Sequence, residues 1–149
     1  MVFSDFLKLI RVHQWVKNLF IFLPAFFGQA LDEDSVFSLA LGFICFSLSA
    51  SAVYIFNDII DAPADRLHKE KKERPIAAGK IKVGTAYGLA AVLLVVSLTG
   101  AYFINQLFLA ACVFYLVQNL FYTTWLKKFA LIDITIISLG FLIRLFAGG

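Results

Sequence analysis

The chain is 149 residues long, 61% hydrophobic and 15% charged, with a formal net charge of +3. Soluble domains run at about 45–50% apolar and about 25% charged residues, so these values exclude a soluble globular domain and make the bilayer the expected solvent. No nucleic-acid partner is expected. The two cysteines, Cys45 and Cys112, sit inside apolar runs without CxxC spacing or Cys/His neighbours, so neither a disulfide nor a zinc site is indicated.

Taken in chain order, Phe3, Phe6, Leu7 and Ile10 recur at helical spacing with Asp5, Lys8 and Arg11 on the other side. That pattern predicts an amphipathic helix lying at the membrane interface. The same scattered charges, with Lys17, do not make the basic start and clean apolar core of a cleavable signal. A first span is expected from about Trp15 to Leu31 with Pro24 inside it, closed by Asp32-Glu33-Asp34. A second, without charge, runs over Val36–Phe56. A third covers about Val83–Ile104, with Asn105-Gln106 as a tight turn, and a fourth about Leu107–Leu126 before Lys127-Lys128. A fifth starts near Leu131. The fold class is therefore all-α, a multi-pass transmembrane helical bundle of about five spans, each approaching the ~20 residues a bilayer needs. Ser47/Ser51 and the GxxxG of Gly84 and Gly88 suggest close helix packing.

Twelve of the 13 basic residues fall before or at the first span, between spans two and three, or between four and five. The positive-inside rule puts those segments and the N-terminus in the cytoplasm. Arg144-Leu145-Phe146-Ala147-Gly148-Gly149 ends the chain without a polar flank, after an odd number of spans. The expectation is one membrane domain over residues 1–149, forming the N-terminal part of a larger bundle.

The candidate chemistry lies where span two ends, at Asn57, Asp58, Asp61 and Asp65. At ~100° per residue these four fall within an arc of about 100° on one helix face. Acids at a helix C-terminus oppose the helix dipole, so a cation must offset them, and oxygen donors of this kind suit Mg²⁺ held together with substrate phosphates. Pro63 tends to break a helix, so Asp65 is expected to reach the site from a turn. The loop Arg66–Lys82 has seven basic and two acidic residues. Cations following acidic ligands suit a polyphosphate clamped between metal and guanidinium. Arg66 and Arg74 are the first candidates, with Lys72 beside them, although Lys69 and Lys72 also fit plain surface charges drawn to anionic headgroups. His68 reads as a loop histidine.

Gln14, Lys17 and Asn18 sit on adjacent positions of one face and are expected to line a polar pocket, with membrane-mouth anchoring as the alternative. Tyr115, Gln118, Asn119 and Tyr122, at i, i+3, i+4 and i+7, should face the bundle, where interhelical hydrogen bonding is the plain reading. Asp133 is expected near the cytoplasmic site. Arg144 lies deeper and calls for a partner that the sequence does not reveal.

The run Asn57–Gly79 resembles the first aspartate-rich motif of the UbiA prenyltransferase superfamily. NDxxDxxxD is matched by Asn57, Asp58, Asp61 and Asp65, followed by Arg74-Pro75-Ile76 and Gly79. Tyr122-Thr123-Thr124, Leu126-Lys127 and Asp133 resemble the segment after the family's fourth span. Arg11-Val12-His13-Gln14-Trp15-Val16-Lys17-Asn18 is similar to the start of the decaprenyl-phosphate phosphoribosyltransferases. The resemblance implies about nine transmembrane helices, with a second Asp-rich motif in a later half. It implies Mg²⁺ on Asn57, Asp58, Asp61 and Asp65, and catalytic roles for Asp58, Asp61 and Arg74. Lys17, Asn18, Arg66, Lys72, Arg74 and Tyr122 would bind substrate. The implied reaction moves a phosphoribosyl group from phosphoribosyl diphosphate to a polyprenyl phosphate at a bacterial inner membrane, with the loop as a lid. The alternatives are prenyl transfer to an aromatic acceptor, a non-enzymatic ion-binding or transport protein, and an inactive half.

Overall fold

The computed structural model describes residues 3–29, 32–125 and 130–149. Among them every regular element is helical: α1 (Phe3–Leu9), a 3₁₀ segment (Val12–Phe22), α2 (Leu23–Phe27), α3 (Glu33–Asp65), a 3₁₀ turn (Lys71–Glu73), α4 (Val83–Ile104), α5 (Gln106–Thr124) and α6 (Ala130–Ala147). α3, α4 and α5 are each long and apolar enough to cross a membrane, and α6 is a further apolar helix of 18 residues. The chain is an integral membrane protein. Lys127 and Lys128 lie outside the described residues, as does the expected end of the first span at Leu31.

α3 is the axis of the fold. Asp32 caps it by accepting a hydrogen bond from the Ser35 backbone N–H at 2.8 Å. The Ser35 side chain and backbone together hold the Asp32 carboxyl below the usual carboxylate range. At 1.5 Å per residue the 33 residues of α3 reach about 50 Å, well beyond a hydrocarbon core of about 30 Å. Ser35–Phe56 fills the core, and the last nine residues project about 13 Å past it. Pro63 does not end the helix, which runs on to Asp65. Only Ala64 and Asp65 follow the proline in the helix, and Arg66 N–H closes this last turn on the Ala62 carbonyl at 3.2 Å. Asp65 therefore belongs to the helix rather than to a turn, which corrects the expectation drawn from Pro63.

The first expected span is not a regular α-helix. It is an 11-residue 3₁₀ run followed by a five-residue helix with Pro24 in its first turn. At about 2.0 Å and 1.5 Å per residue the two are about 22 Å and 8 Å long. The three-residue repeat sorts the side chains into ridges. Trp15, Asn18 and Ile21 face α3: the indole N–H donates to Ser51 Oγ at 3.0 Å, and Asn18 Nδ2 donates to Ser47 Oγ at 2.8 Å. His13, Val16 and Leu19 form an exposed ridge. Gln14 and Lys17 share a third ridge, so Asn18 turns away from them instead of sharing their face. An α-helical wheel cannot anticipate that separation, because it spaces residues at 100° rather than 120°.

α4 packs along α3 with small residues inward. Ala86, Ala90, Leu93, Ser97 and Ala101 are buried, while Val92, Val95, Val96 and Phe103 are exposed. In lipid the large apolar groups gain nothing by turning inward, and small residues let backbones approach. Ser97 Oγ donates to the Cys45 carbonyl at 2.7 Å and lies 2.6 Å from Ser49 Oγ. The expected GxxxG is not part of this seam, because a Cβ on Gly84 or Gly88 would meet nothing within 4 Å. Gly100 is the close contact: a Cβ there would lie 2.5 Å from Cys45 Sγ.

One apolar core joins Leu9 and Ile10 to Ile55 and Ile59 of α3, to Ile76 and Ile81 of the loop, and to α4. A second joins Ile21, Phe46, Phe108, Cys112, Tyr115 and Ile143. α1 is less cleanly amphipathic than its spacing predicts. Phe3 and Leu7 are exposed, whereas Asp5 is buried and pairs with Lys80 Nζ at 3.7 Å.

Gly100→Val is expected to lower the melting temperature in detergent, since overpacking a filled seam costs about 1–3 kcal/mol. Gly84→Ala and Gly88→Ala should hold or raise it, by up to about 1 kcal/mol of helix propensity. An unchanged melting temperature for Gly100→Val would show that the seam is not close-packed.

Candidate active site

α3 carries no carboxylate between its first turn and Asp58, then three within eight residues. Asp58 and Asp65 are buried and Asp61 is half-buried. Arg74 Nη1 lies 2.8 Å from Asp65 Oδ2 and 3.2 Å from Asp58 Oδ1, bridging two turns of the helix. Arg11 Nη2 reaches the same Asp58 oxygen at 2.5 Å, and its guanidinium lies 4.9 Å above the Tyr54 ring. Two buried acids are thus matched by two guanidiniums.

Backbone geometry delivers both cations. Arg11 has φ 51° and ψ 49°, a left-handed conformation uncommon for a non-glycine residue. That turn redirects the chain from α1 into the 3₁₀ segment beside the end of α3. Arg74 follows the Lys71–Glu73 turn in extended conformation. The residues after it are anchored: Ile76 and Ile81 are buried, and Gly79 supplies the positive φ of 71° that closes the turn between them. The half of the loop from Ile76 to Ile81 is therefore a packed strap, whereas the stretch Arg66–Glu73 is exposed. Arg66 and Lys72 are both exposed on that stretch. His68 Nδ1 accepts the backbone N–H groups of Glu70 and Lys71 at 3.2 and 3.3 Å, the role of a loop histidine.

Asn57 points to α5. The Thr123 hydroxyl lies between Asn57 Oδ1 and the Asn119 carbonyl, tying the end of α3 to that of α5. Beside it is a cavity of about 250 Å³ whose lining includes Lys17, Asn57, Tyr115, Asn119, Tyr122 and Arg144. The polar stripe of α5 faces the bundle as expected: Tyr115 and Gln118 are buried, and Gln118 Nε2 donates to the Ile136 carbonyl at 3.1 Å. Lys17 and Tyr122 meet in this cavity. Asn18 lies beneath it, 1% exposed, bonded to Ser47 and to Arg144. The partner that Arg144 calls for is thus present. Its Nε donates to Asn18 Oδ1 at 2.8 Å and its Nη1 to the Gly140 carbonyl at 2.6 Å. The rings of Phe46, Tyr115 and Phe141 surround it at 5.2–5.5 Å. The side chain of Asp133 lies outside the described residues.

Arg11 and Arg144 are the two residues whose pairings the sequence does not reveal. Arg11 sits on the polar face of the expected amphipathic helix and inside the front motif, and neither pattern points to Asp58. Arg144 was singled out for its depth, yet its distance from Asn18 along the chain hid the pairing.

Among the described residues no three His, Cys, Asp or Glu groups converge to hold a metal alone. The donor chemistry still fits Mg²⁺, which is commonly held by one or two carboxylates with substrate phosphates and water rather than in an all-protein cage. Asp58, Asp61 and Asp65 offer carboxylate oxygens along the end of α3, two of them beside guanidiniums, while the expected fourth donor, the Asn57 amide oxygen, accepts from the Thr123 hydroxyl on the α5 side.

The profile of the UbiA prenyltransferase family matches residues 19–149. The chain belongs to this family. It is 42% identical over 147 residues to decaprenyl-phosphate phosphoribosyltransferase of Mycobacterium tuberculosis, covering 95% of this chain and 49% of that one. Its fold matches a solved digeranylgeranylglyceryl phosphate synthase with a TM-score of 0.83 at 26% identity, over 97% of this chain and 51% of the other. A UbiA homologue from Archaeoglobus fulgidus, solved with GPP and Mg²⁺, matches with a TM-score of 0.80 at 24% identity, over 97% and 52%. The chain spans about half or less of the length of the curated relatives it matches. In this family member the matched region opens inside the 3₁₀ segment, at Leu19, so α1, Arg11, Lys17 and Asn18 precede it.

Asp58→Asn is expected to destabilise the protein by about 1–3 kcal/mol, because two guanidiniums share one carboxylate oxygen. A double-mutant cycle with Arg11→Gln should show a coupling of at least about 1 kcal/mol. Strictly additive losses in denaturant unfolding would mean that the pair is not formed.

Proposed function

We propose that these residues form the first half of a membrane domain that transfers a 5-phosphoribosyl group from phosphoribosyl diphosphate to a polyprenyl phosphate. The observation that carries this reading is the stripe of acids projecting past the hydrocarbon core, matched by Arg11 and Arg74 and backed by a cavity with two further cations. Such a site suits a soluble diphosphate meeting a lipid phosphate at the membrane edge. The higher identity to the phosphoribosyltransferase relative than to the prenyl-transferring one supports the choice of donor. The basic loops support a cytoplasmic site, since the ion pairs of Arg11 with α3 and of Asp5 on α1 with the loop gather them at one end. The inner membrane of a bacterium is the proposed location.

The lipid phosphate oxygen attacks the anomeric carbon, the bond from that carbon to the diphosphate breaks, and pyrophosphate leaves. No strong base is required, because the attacking phosphate is already an anion. Asp58, Asp61 and Asp65 would hold Mg²⁺, joined by Asn57 once its amide oxygen leaves Thr123, and the bound ion would offset the charge gathering on the leaving diphosphate. Arg74 and Arg11, now on Asp58 and Asp65, are the cations a diphosphate draws onto its own oxygens. Arg66 and Lys72 approach the donor from the exposed part of the loop, and Lys17 and Tyr122 from the cavity.

Asp61→Asn in the full chain should cut Mg²⁺-dependent turnover by at least about 100-fold, the scale of losing one key electrostatic contact. The assay supplies each donor with Mg²⁺ to membranes and follows pyrophosphate release. Unchanged turnover would refute the metal role. Release with a prenyl diphosphate and an aromatic acid, but none with phosphoribosyl diphosphate, would replace the proposed reaction by prenyl transfer.

A further inference from the structure

Arg144 is 5% exposed, and among the described residues no ion pair involves it. A cation at membrane depth costs several kcal/mol, and each ring contact returns only about 0.5–2 kcal/mol. A residue whose work was only to tie α6 to the 3₁₀ segment would do so at less cost as an uncharged amide. Asn18 and the Gly140 carbonyl take two of its five N–H donors, and the guanidinium lines the cavity that Lys17 also lines. Among the described residues that lining holds two cations and no acid. Its other polar groups are Tyr54, Tyr115 and Tyr122, with Asn57 and Asn119, all able to donate hydrogen bonds.

We propose that this cavity is a phosphate-monoester subsite, distinct from the acid stripe that takes the diphosphate, with Arg144 and Lys17 as its anion-binding residues. At about 250 Å³ it is smaller than the ~300–1,000 Å³ of a site for a whole small molecule, so it receives one group of a substrate. Asn57 belongs to both sites: its side chain lines the cavity, and its backbone is on the helix turn that leads to Asp61. A monoester seated there lies next to the diphosphate without sharing its counter-ions. This assignment rests on the proposed transfer, in which two substrates carry a phosphate monoester: the 5-phosphate of the donor and the phosphate of the lipid.

Binding to the full chain in nanodiscs with Mg²⁺ tests this without requiring turnover. The probes are ribose 5-phosphate, geranyl phosphate, their unphosphorylated counterparts ribose and geraniol, and pyrophosphate. Either monoester should bind the unaltered protein more tightly than its unphosphorylated counterpart. The one that does identifies the source of the phosphate as donor or acceptor. Lys17→Gln and Arg144→Lys should each weaken that monoester by about tenfold or more, the scale of one charge-assisted hydrogen bond, and leave pyrophosphate affinity within about twofold. Asp61→Asn should do the reverse. Lys17 is exposed, so its variant keeps the test sound if Arg144→Lys fails to fold. Equal binding of both monoesters and their counterparts, or unchanged monoester affinity in Lys17→Gln, would overturn the subsite. Intact monoester binding without phosphoribosyl transfer would overturn the transfer reading and leave the subsite standing.

Discussion

The amide of Asn18 is the contact on which the rest of this structure depends. It is sealed from solvent, and a buried amide without partners costs several kcal/mol. Both its ends are met, by Ser47 on α3 and by Arg144 on α6. The bond to Ser47 also explains the unusual 3₁₀ segment. Trp15 and Asn18 are three residues apart, and their partners Ser51 and Ser47 are four apart on α3. Three residues at about 2.0 Å and four at about 1.5 Å both advance about 6 Å. A 3₁₀ ridge is thus in register with an α-helical row, and each polar group meets its partner without bending either element. Wound as an α-helix, Trp15 and Asn18 would be only about 4.5 Å apart along the axis, and one of the two bonds would fail.

The same contact separates two kinds of charge. At the membrane edge, Asp58 and Asp65 neutralise Arg11 and Arg74, and all four sit where water and ions can reach the arginines. Such pairs are exchangeable: an incoming anion and cation can replace each partner without leaving a bare charge. Deeper in, Arg144 is fixed by an amide, a carbonyl and three rings, none of which can neutralise it. Exchange at the rim and permanence below give the site one part that rearranges around a ligand and one part that does not.

Much of this was legible from residues alone. Spans three and four follow from apolar run length, because lipid leaves the backbone no other choice, and α4 and α5 lie at about the expected bounds. The acid stripe was legible because 100° spacing holds along α3. Four things were not. The 3₁₀ segment was hidden because apolar content does not distinguish helix types, and Gln14, Lys17 and Asn18 were assigned one face on the wrong angle. Gly84 and Gly88 matched a packing motif, but a motif does not say which face meets a neighbour. Pro63 signals a break, yet the two helical residues beyond it suffice to place Asp65. The pairings of Arg11 and Arg144 span 47 and 126 residues, a separation at which periodicity carries no information.

Depth decides what the site can join. α3 is longer than the hydrocarbon core it crosses, and its last nine residues, about 13 Å of helix, lie past the core at the end bearing the acids. The stripe therefore stands in the headgroup region, within reach of soluble anions. The cavity behind Asn57 opens beneath that stripe, among helices whose outer faces are apolar. A lipid lying in the bilayer presents its phosphate at the headgroup level, and a soluble diphosphate cannot descend much below it. The only depth common to both is that of Asn57, where the acid stripe and the cavity adjoin. A helix three turns shorter would bury the acids in hydrocarbon, where divalent ions do not follow. One three turns longer would lift them away from the lipid phosphate. The length of α3 is thus itself a functional constraint, as much as the identity of the residues at its end.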